Sequence, residues 1–142
     1  MRVVVISGYF NPIHTGHLDY IKAASKLGDK LIVIVNNDDQ VKIKGSVEFM
    51  DEFDRMRIAS AIKGVGKVVL SIDKTESVIE TLKSIYNEYA VDYFFDSMVF
   101  ANGGDRRREE IPEAKVCKEL NIEMIDGLGD KIRSSSDYTG LK

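Results

Sequence analysis

Short runs of apolar, often β-branched residues alternate along the chain with longer segments of helical periodicity. Two runs, RVVVIS (2–7) and KLIVIVN (30–36), are almost continuously apolar, which is typical of strands covered on both faces. Three weaker strand candidates are KVVLSI (67–72), MVFAN (98–102) and IEMID (122–126). This alternation predicts a doubly wound α/β fold, with a sheet of about five parallel strands and helices on both faces.

Four segments with helical spacing of apolar residues lie between these strands, at 14–28, 51–62, 75–89 and 111–120. Asp51 is a candidate N-cap for the second segment, and Pro112 suits the first turn of the fourth. The positions expected to face the sheet are Leu18, Ile21, Ala24, Phe53, Met56, Ile58, Val78, Leu82, Ile85 and Tyr89.

The length and composition favour one domain over residues 1–142, with its ligand at the carboxyl ends of the strands near the point where strand order reverses. The net charge of −3 argues against a nucleic-acid partner, because such binding depends on a basic surface. No apolar stretch approaches membrane-spanning length, so no membrane partner is expected. The lone Cys117 has no internal disulfide partner, which favours a cytoplasmic location.

Both histidines of the chain lie in GYFNPIHTGH (8–17), directly after the first predicted strand and at the start of the first helix. Unpaired N–H groups at a helix N-terminus attract anions, and Gly16 allows close approach to the backbone. His14 and His17 would direct ring nitrogens toward the same phosphate and stabilise charge during its transfer. Two other readings stay open: metal ligation by both histidines, and a capping or core role for one of them. The glycine spacing matches neither the dinucleotide-binding fingerprint nor the P-loop.

The ten-residue stretch resembles the G-x-F-[DN]-x-x-H-x-G-H motif of the cytidylyltransferase-like nucleotidyltransferase superfamily, with Asn11 in place of the commoner aspartate. The resemblance implies a Rossmann-like sheet and a reaction that joins a nucleoside triphosphate to a phosphate monoester with release of pyrophosphate. It assigns His14 and His17 to catalysis at the α-phosphate. It also implies Mg²⁺, bound mainly through the triphosphate. The residues of this stretch that it assigns to nucleotide binding are Gly8, Tyr9, Phe10 and Gly16.

Three further segments fit the same resemblance. KIKGSVEFMDEFDR (42–55) is similar to the family's Lys-Gly loop, so Lys44 would bind the triphosphate; alternatively it is a solvated surface lysine. Asp38 in VNNDD (35–39) would contact the acceptor or organise the pocket, with an Asx turn as the other reading. Asp73 and Thr75 in SIDKTES (71–77) are candidate partners of acceptor hydroxyls.

Two late segments complete the predicted nucleotide site. FANGGDRRREEIPE (100–113) offers Asn102, Gly104, Asp105 and Arg106 near the base or ribose, unless its charges are a solvated run. KIRSSSDY (131–138) resembles the family's late serine motif, in which Arg133 and the hydroxyls would hold the β- and γ-phosphates; a serine-rich tail is the alternative. The serines concerned are Ser134, Ser135 and Ser136.

The resemblance is uneven. KGVGKVV (63–69) lacks the Arg, Asp and Glu that many cytidylyltransferases carry there, and GLGDKIRSSS is closer to small single-domain sugar-phosphate nucleotidyltransferases. We therefore expect a nucleotidyltransferase that uses ATP or CTP and a sugar or polyol phosphate, and that forms a homodimer covering its short last helix. The alternatives are a glycerol-3-phosphate-type cytidylyltransferase and a nucleotide-binding or sensor module without catalysis.

Overall fold

The computed structural model describes residues 1–103 and 111–128, which form one parallel sheet flanked by helices. The strands follow the order β3-β2-β1-β4-β5, and each pair of neighbours is parallel. This arrangement confirms the predicted Rossmann-like α/β fold class. In chain order the elements are β1 (Arg2–Gly8), α1 (Thr15–Ser25), β2 (Lys30–Val35), α2 (Asp38–Lys44), α3 (Glu52–Ser60), β3 (Lys67–Leu70), α4 (Ile79–Ala90), β4 (Ser97–Gly103), α5 (Ala114–Glu119) and β5 (Glu123–Leu128).

Strands β1 and β2 are buried on both faces, as their continuous apolar runs predict. Successive residues of a strand point to opposite sides, so β1 contributes to two separate cores. Val3 and Val5 pack with residues of α4 and α5, whereas Val4 and Ile6 pack with residues of α1 and α3. The sheet therefore has a layer of helices on each face.

The order of the strands creates a crevice at one edge of the sheet. From β1 the chain runs outward through β2 and β3, and then β4 returns to the other side of β1. The connections that leave β1 and β4 therefore diverge at their carboxyl ends, which opens a crevice between them. This is the predicted location of a ligand.

The buried faces of two helices differ from the hydrophobic pattern. Leu18 of α1 is 42% exposed, and Phe53 of α3 is 69% exposed. In α3 the buried residues are Arg55 and Ala59, so the buried face of this helix includes a charged side chain where apolar side chains were expected. The physical reason is that Arg55 hydrogen-bonds several main-chain carbonyls at the candidate site. At α4 the expected residues are all buried: the N-cap Val78, and Leu82, Ile85 and Tyr89 within the helix.

Helix α2 is an element that the hydrophobic pattern does not predict. Its N-cap Asn37 accepts from Gln40 N–H at 2.8 Å, and Gln40 Oε1 accepts from Asn37 N–H at 3.0 Å. The helix ends at Gly45, whose φ of 81° is left-handed and favours glycine. Tight capping at both ends explains how a short polar segment becomes helical and carries Lys44 on its last turn.

Within the described ranges, no helix combines the length and the apolar character needed to cross a membrane. Seven predicted site residues lie outside these ranges: Gly104, Asp105, Arg106, Arg133, Ser134, Ser135 and Ser136. The single domain over residues 1–142 stays a prediction.

Candidate active site

A cavity of about 410 Å³ lies at the carboxyl ends of β1 and β4, in the crevice between them. Its wall combines the end of β1, the start of α1, the end of α2 and the segment before α5. The predicted site residues that line it are Gly8, Tyr9, Phe10, His17, Lys44 and Asn102. The fold thus brings together segments that are far apart in the sequence.

The first loop turns sharply as it leaves β1. Phe10 has a left-handed φ of 51°, and its ring is buried against Gly8. A Cβ at Gly8 would lie 2.8 Å from Phe10 Cζ, closer than two carbon atoms pack. Only glycine therefore fits at the strand exit, and the loop is held down on the sheet.

Both histidines cap the N-terminus of α1. Nδ1 of His14 accepts from Gly16 N–H at 3.1 Å, and Nδ1 of His17 accepts from His14 N–H at 3.0 Å. The two rings are stacked with their centroids 3.8 Å apart, and the Phe10 ring meets His17 edge-on at 4.9 Å. The capping interpretation thus holds for both histidines, while His17 also lines the cavity and His14 is buried behind it.

This capping determines which nitrogen His17 offers to a ligand. Because Nδ1 accepts a hydrogen bond, the proton of the neutral ring lies on Nε2, which becomes a donor. Burial lowers the pKa of His17 from 6.5 to about 3, with smaller contributions from His14 and Lys44. At neutral pH His17 is therefore an uncharged hydrogen-bond donor.

Lys44 lies over the ring of Tyr9, with its Nζ 4.3 Å from the ring centroid. Desolvation in this position lowers the pKa of Lys44, and the carboxylate of Glu76 partly offsets the effect. Burial, together with Glu76 and Glu113, raises the pKa of Tyr9 to about 12, so its phenol stays protonated. The ammonium group thus lies against an aromatic face at the cavity wall.

Arg55 joins the first loop to the end of β2. Its Nη1 donates to Tyr9 O at 2.8 Å and to Asn36 O at 2.6 Å, and its Nε donates to Met50 O at 3.0 Å. Its Nη2 forms an ion pair with Asp38 Oδ1 at 2.8 Å, and the guanidinium is fully buried. Partial burial alone would raise the pKa of Asp38, but the Arg55 contact holds it below its usual value.

The side chain of Asn11 fastens a second loop beside the first. Its Nδ2 donates to Val47 O at 2.7 Å, and its Oδ1 accepts from Phe49 N–H at 2.9 Å and from Met50 N–H at 3.2 Å. This loop follows α2 directly, so the segment after Lys44 is tied to the segment that carries both histidines.

The sequence profile of the family described as cytidylyltransferase-like matches residues 5–126. The chain belongs to the cytidylyltransferase-like family. It is 34% identical over 84 residues to FAD synthase from Thermoplasma acidophilum, which is 58% of this chain and 59% of that protein. It is 36% identical over 115 residues to bifunctional protein HldE from Shewanella sediminis, which is 80% of this chain and 22% of that protein. The matches thus span less than two thirds of these relatives.

Two solved structures share the fold of this cytidylyltransferase-like chain. The lipopolysaccharide core biosynthesis protein from Thermoplasma volcanium gives a TM-score of 0.68 at 24% identity, with 91% of this chain and 98% of that chain covered. The bifunctional NMN adenylyltransferase/ADP ribose pyrophosphatase from Francisella tularensis, complexed with AMP and a Mn ion, gives 0.62 at 15% identity. That match covers 98% of this chain and 40% of the other.

The three predicted acceptor-binding residues of this cytidylyltransferase-like domain lie away from the cavity wall. Asp38 is engaged by Arg55. Thr75 Oγ1 lies 3.1 Å from Ser77 Oγ, and both residues flank Glu76, which does line the cavity. Asp73 Oδ1 accepts from Thr81 N–H at 2.9 Å and from Thr81 Oγ1 at 2.5 Å, and Oδ2 accepts from Glu80 N–H at 2.8 Å. The structure thus gives Asp38 and Asp73 roles in holding the fold.

The cavity also contains residues that the sequence did not single out, chiefly Asn36, Glu76 and Glu113. Each lies within or beside a segment with predicted site residues, so the sequence indicates the segments and not the individual side chains. The path of the backbone determines which residue of a loop faces a cavity, and the spacing of apolar residues in the sequence does not indicate that path. Asn36 directly follows β2, at the edge of the sheet where ligands bind in this fold. That position could have identified it as a candidate site residue.

Asp73→Ala should destabilise the protein by about 1–3 kcal/mol, because three donors at the start of α4, two of them buried, would lose their acceptor. The N-cap of α4, Val78, provides no side-chain hydrogen bond of its own. Urea unfolding measures the change. Asp73→Ser keeps an oxygen acceptor and should lose less; an acceptor KM that rises while stability is unchanged would contradict this role.

Acidification should destabilise the wild-type protein more than His17→Asn. The folded pKa of His17 is about 3 against 6.5 for the ordinary ring, so between these values the unfolded chain binds a proton that the folded chain does not. The free energy of unfolding is therefore highest above the pKa of the unfolded chain. It decreases as pH falls from about 7 to about 4, because the unfolded chain takes up the proton. Urea unfolding across that range checks it; parallel losses in both proteins would contradict the low pKa.

Proposed function

We propose that this cytidylyltransferase-like protein is a nucleotidyltransferase that transfers the nucleotidyl group of ATP or CTP to a sugar or polyol phosphate and releases pyrophosphate. The observation that carries the proposal is the pairing of two groups in one cavity. His17 offers an Nε2–H donor and Lys44 offers an ammonium group against the Tyr9 ring, at the edge of the sheet where the strand order reverses.

The proposed reaction is an in-line displacement at phosphorus. An oxygen of the acceptor phosphate forms a bond to the α-phosphorus. The bond from that phosphorus to the oxygen bridging to the β-phosphate breaks, and its electron pair leaves with pyrophosphate. No covalent bond to the protein is needed, so catalysis comes from positioning and electrostatic stabilisation.

His17 donates to an oxygen of the α-phosphate and strengthens that hydrogen bond as charge builds in the transition state. His14 orients His17 by stacking against it and by donating its own N–H to Nδ1. Lys44 binds the α- and β-phosphates, and the N-terminus of α1 adds the positive end of its dipole. Arg133 and Ser134 to Ser136 are predicted to hold the departing pyrophosphate, and they lie outside the described residues.

Asn102 supports a nucleotide at the β4 side of the cavity. Its Nδ2 is buried, and within residues 1–103 and 111–128 it has no hydrogen-bond partner. An unpaired buried donor costs about 1–3 kcal/mol, which an acceptor atom of a bound base or ribose would recover. Gly104, Asp105 and Arg106, outside the described residues, follow one residue further along the chain and are proposed to extend this contact.

Mg²⁺ fits the site as a partner of the triphosphate and less well as an ion held by the protein. In the part of the chain that the structure describes, no three His, Cys, Asp or Glu side chains converge as a metal cage. Mg²⁺ usually keeps several waters and binds substrate phosphates, where it neutralises charge. Phosphate oxygens would hold the ion, and Lys44 would share the neutralisation.

The test is a pyrophosphate-release screen that crosses ATP, CTP, GTP and UTP with sugar 1-phosphates, glycerol 3-phosphate and FMN. FMN is included because of the similarity to FAD synthase. We expect release that requires both a triphosphate and an acceptor, and that is lost in His17→Asn. If a triphosphate raises the melting temperature but no acceptor gives pyrophosphate, the protein is a nucleotide-binding module and the proposal fails.

Two expectations about the protein as a whole accompany this proposal. We propose a homodimer, which light scattering at several protein concentrations would test. We also propose a cytoplasmic location, which fractionation of the native cells would test.

A further inference from the structure

Two carboxylates face a cavity that is proposed to bind phosphates. Glu76 and Glu113 both line it, and both act electrostatically on the phenol of Tyr9. Among the described lining residues Lys44 is the one lysine or arginine, and His17 is neutral. A surplus of negative charge is unexpected beside a triphosphate, so these carboxylates call for a role apart from phosphate binding.

The two carboxylates are anchored differently: contacts of the neighbouring main chain position the segment of the exposed Glu76, whereas the buried Glu113 carboxylate itself accepts a hydrogen bond. The carbonyls on either side of Glu76, at Thr75 and Ser77, accept from Gln40 Nε2 at 2.6 and 2.9 Å, and Gln40 is fully buried. Glu113 is 6% exposed, and its Oε2 accepts from Val78 N–H at 2.9 Å. Gln40 lies on the same helix as Lys44, so this helix positions both the cation and the segment that carries Glu76.

The charges around this part of the cavity disfavour both kinds of ionic ligand. Two carboxylates repel a second anionic group on the acceptor. Glu76 interacts with the ammonium of Lys44, so a second cation bound at Glu76 would be repelled by Lys44. The same repulsion argues against a divalent metal or a quaternary ammonium group there.

A neutral group that donates hydrogen bonds satisfies this environment. Carboxylates accept from hydroxyl groups, and such hydrogen bonds to a charged partner are stronger than neutral ones. Tyr9, Ser7 and Asn36 add uncharged polar groups to the same cavity. A polyhydroxylated body therefore matches these walls better than an acid or an amine.

We propose that Glu76 and Glu113 bind hydroxyl groups of the acceptor and exclude acceptors that carry a second acidic group besides their phosphate. This inference rests on the proposed function and deepens it. It assigns acceptor selection to two residues that do not take part in the phosphorus chemistry.

The test uses pairs of acceptors that differ in one group. Glucose 1-phosphate and glucuronic acid 1-phosphate differ by a hydroxymethyl against a carboxylate, and glycerol 3-phosphate and 3-phosphoglycerate differ in the same way. The wild-type protein should prefer the neutral member of each pair by at least about tenfold in kcat/KM. Glu76→Gln and Glu113→Gln should reduce this preference, and the double variant should nearly abolish it.

Glutamine at position 113 keeps an oxygen that can accept from Val78 N–H, so the substitution removes charge and preserves the contact. Glu80→Gln is the matched control, because Glu80 follows Glu76 by four residues and pairs with Lys83 outside the cavity wall. It should keep the wild-type preference. Equal preference in wild type and in the double variant would overturn the inference.

Two further readouts distinguish a hydroxyl site from an ammonium site and from a metal site. If the wild-type protein preferred phosphoethanolamine and Glu76→Gln lost that preference, the carboxylates would bind an ammonium group rather than hydroxyl groups. A higher Mg²⁺ requirement with unchanged acceptor preference would make the carboxylates metal ligands. Either result overturns the inference and leaves the proposed function standing.

A binding measurement keeps the inference testable without turnover. Each acceptor is added with the nonhydrolysable α,β-methylene analogue of ATP or CTP, and the melting temperature is recorded. Neutral acceptors should raise it more than their acidic partners, and Glu76→Gln should narrow that difference. If no acceptor in any assay releases pyrophosphate, the proposed function fails, and this measurement still decides whether the cavity selects hydroxyl groups.

Discussion

His17→Ala and His17→Asn should both lower the kcat of nucleotidyl transfer by about 10²–10³-fold, because each removes the Nε2–H donor from the cavity. The interaction strengthens only as charge builds on the α-phosphate, so the loss should fall on kcat more than on the KM of the triphosphate. Pyrophosphate release under saturating substrates measures it.

The two variants separate chemistry from folding. His17 Nδ1 also accepts from His14 N–H, so alanine removes part of the α1 cap and should cost about 1 kcal/mol of stability. Asparagine places an oxygen where Nδ1 lies and should retain most of that stability. If His17→Asn turned over at the wild-type rate, the histidine would be a cap alone and the catalytic role would be excluded.

Arg55→Ala should lower the free energy of unfolding by about 3–5 kcal/mol, a large part of the stability of a single domain. The guanidinium is fully buried and donates to the carbonyls of Tyr9, Asn36 and Met50 besides pairing with Asp38. Removing it takes the ion-pair partner from the partly buried carboxylate of Asp38 and a donor from these three carbonyls, and leaves a cavity where the fully buried guanidinium lay. Urea unfolding, or loss of soluble expression, reports the result.

Arg57→Ala is the matched control on the same helix. Arg57 is exposed, so its removal should change stability by at most about 0.5 kcal/mol. Arg55→Lys should fall close to the alanine variant, because an ammonium group cannot reproduce the planar fork of donors. A loss below about 1 kcal/mol in Arg55→Ala would mean that the network is replaceable by water.

The central strands were predictable because burial on both faces leaves an uninterrupted apolar run. The face of α3 was not predictable by the same logic. Phe53 is exposed and Arg55 is buried, because main-chain carbonyls from three other segments converge on that guanidinium. Hydrophobic periodicity measures transfer from water and carries no information about such hydrogen bonds.

Helix α2 is marked in the sequence by its capping residues rather than by periodicity. Asn37 and Gln40 have the spacing of a capping box, and Gly45 stands at the helix end. The segment between them is too short and polar to show a period, so capping residues alone indicate the helix. They also place Lys44 on a helix end, directed toward the cavity.

The contact between the two histidines of the first loop was predictable because they lie close to each other in sequence. His14 and His17 meet across one helical turn, so their spacing already implies contact. Glu76 and Glu113 meet at the cavity only through tertiary packing, and neither has a local pattern that marks it. The contacts of Asp73 were hidden for the same reason, since its partners in α4 are fixed by the path of the chain after β3.

Asn11 shows what an amide accomplishes where an acid is commoner. It donates to one peptide carbonyl and accepts from two peptide N–H groups, so a single side chain satisfies both donors and acceptors of the neighbouring loop. An aspartate would turn two oxygens toward these atoms and set one of them against the carbonyl of Val47. The residue at position 11 therefore helps to determine the path of the loop after Lys44, because the amide has both a donor and an acceptor. This effect is independent of any charge that the residue would bring to a nucleotide.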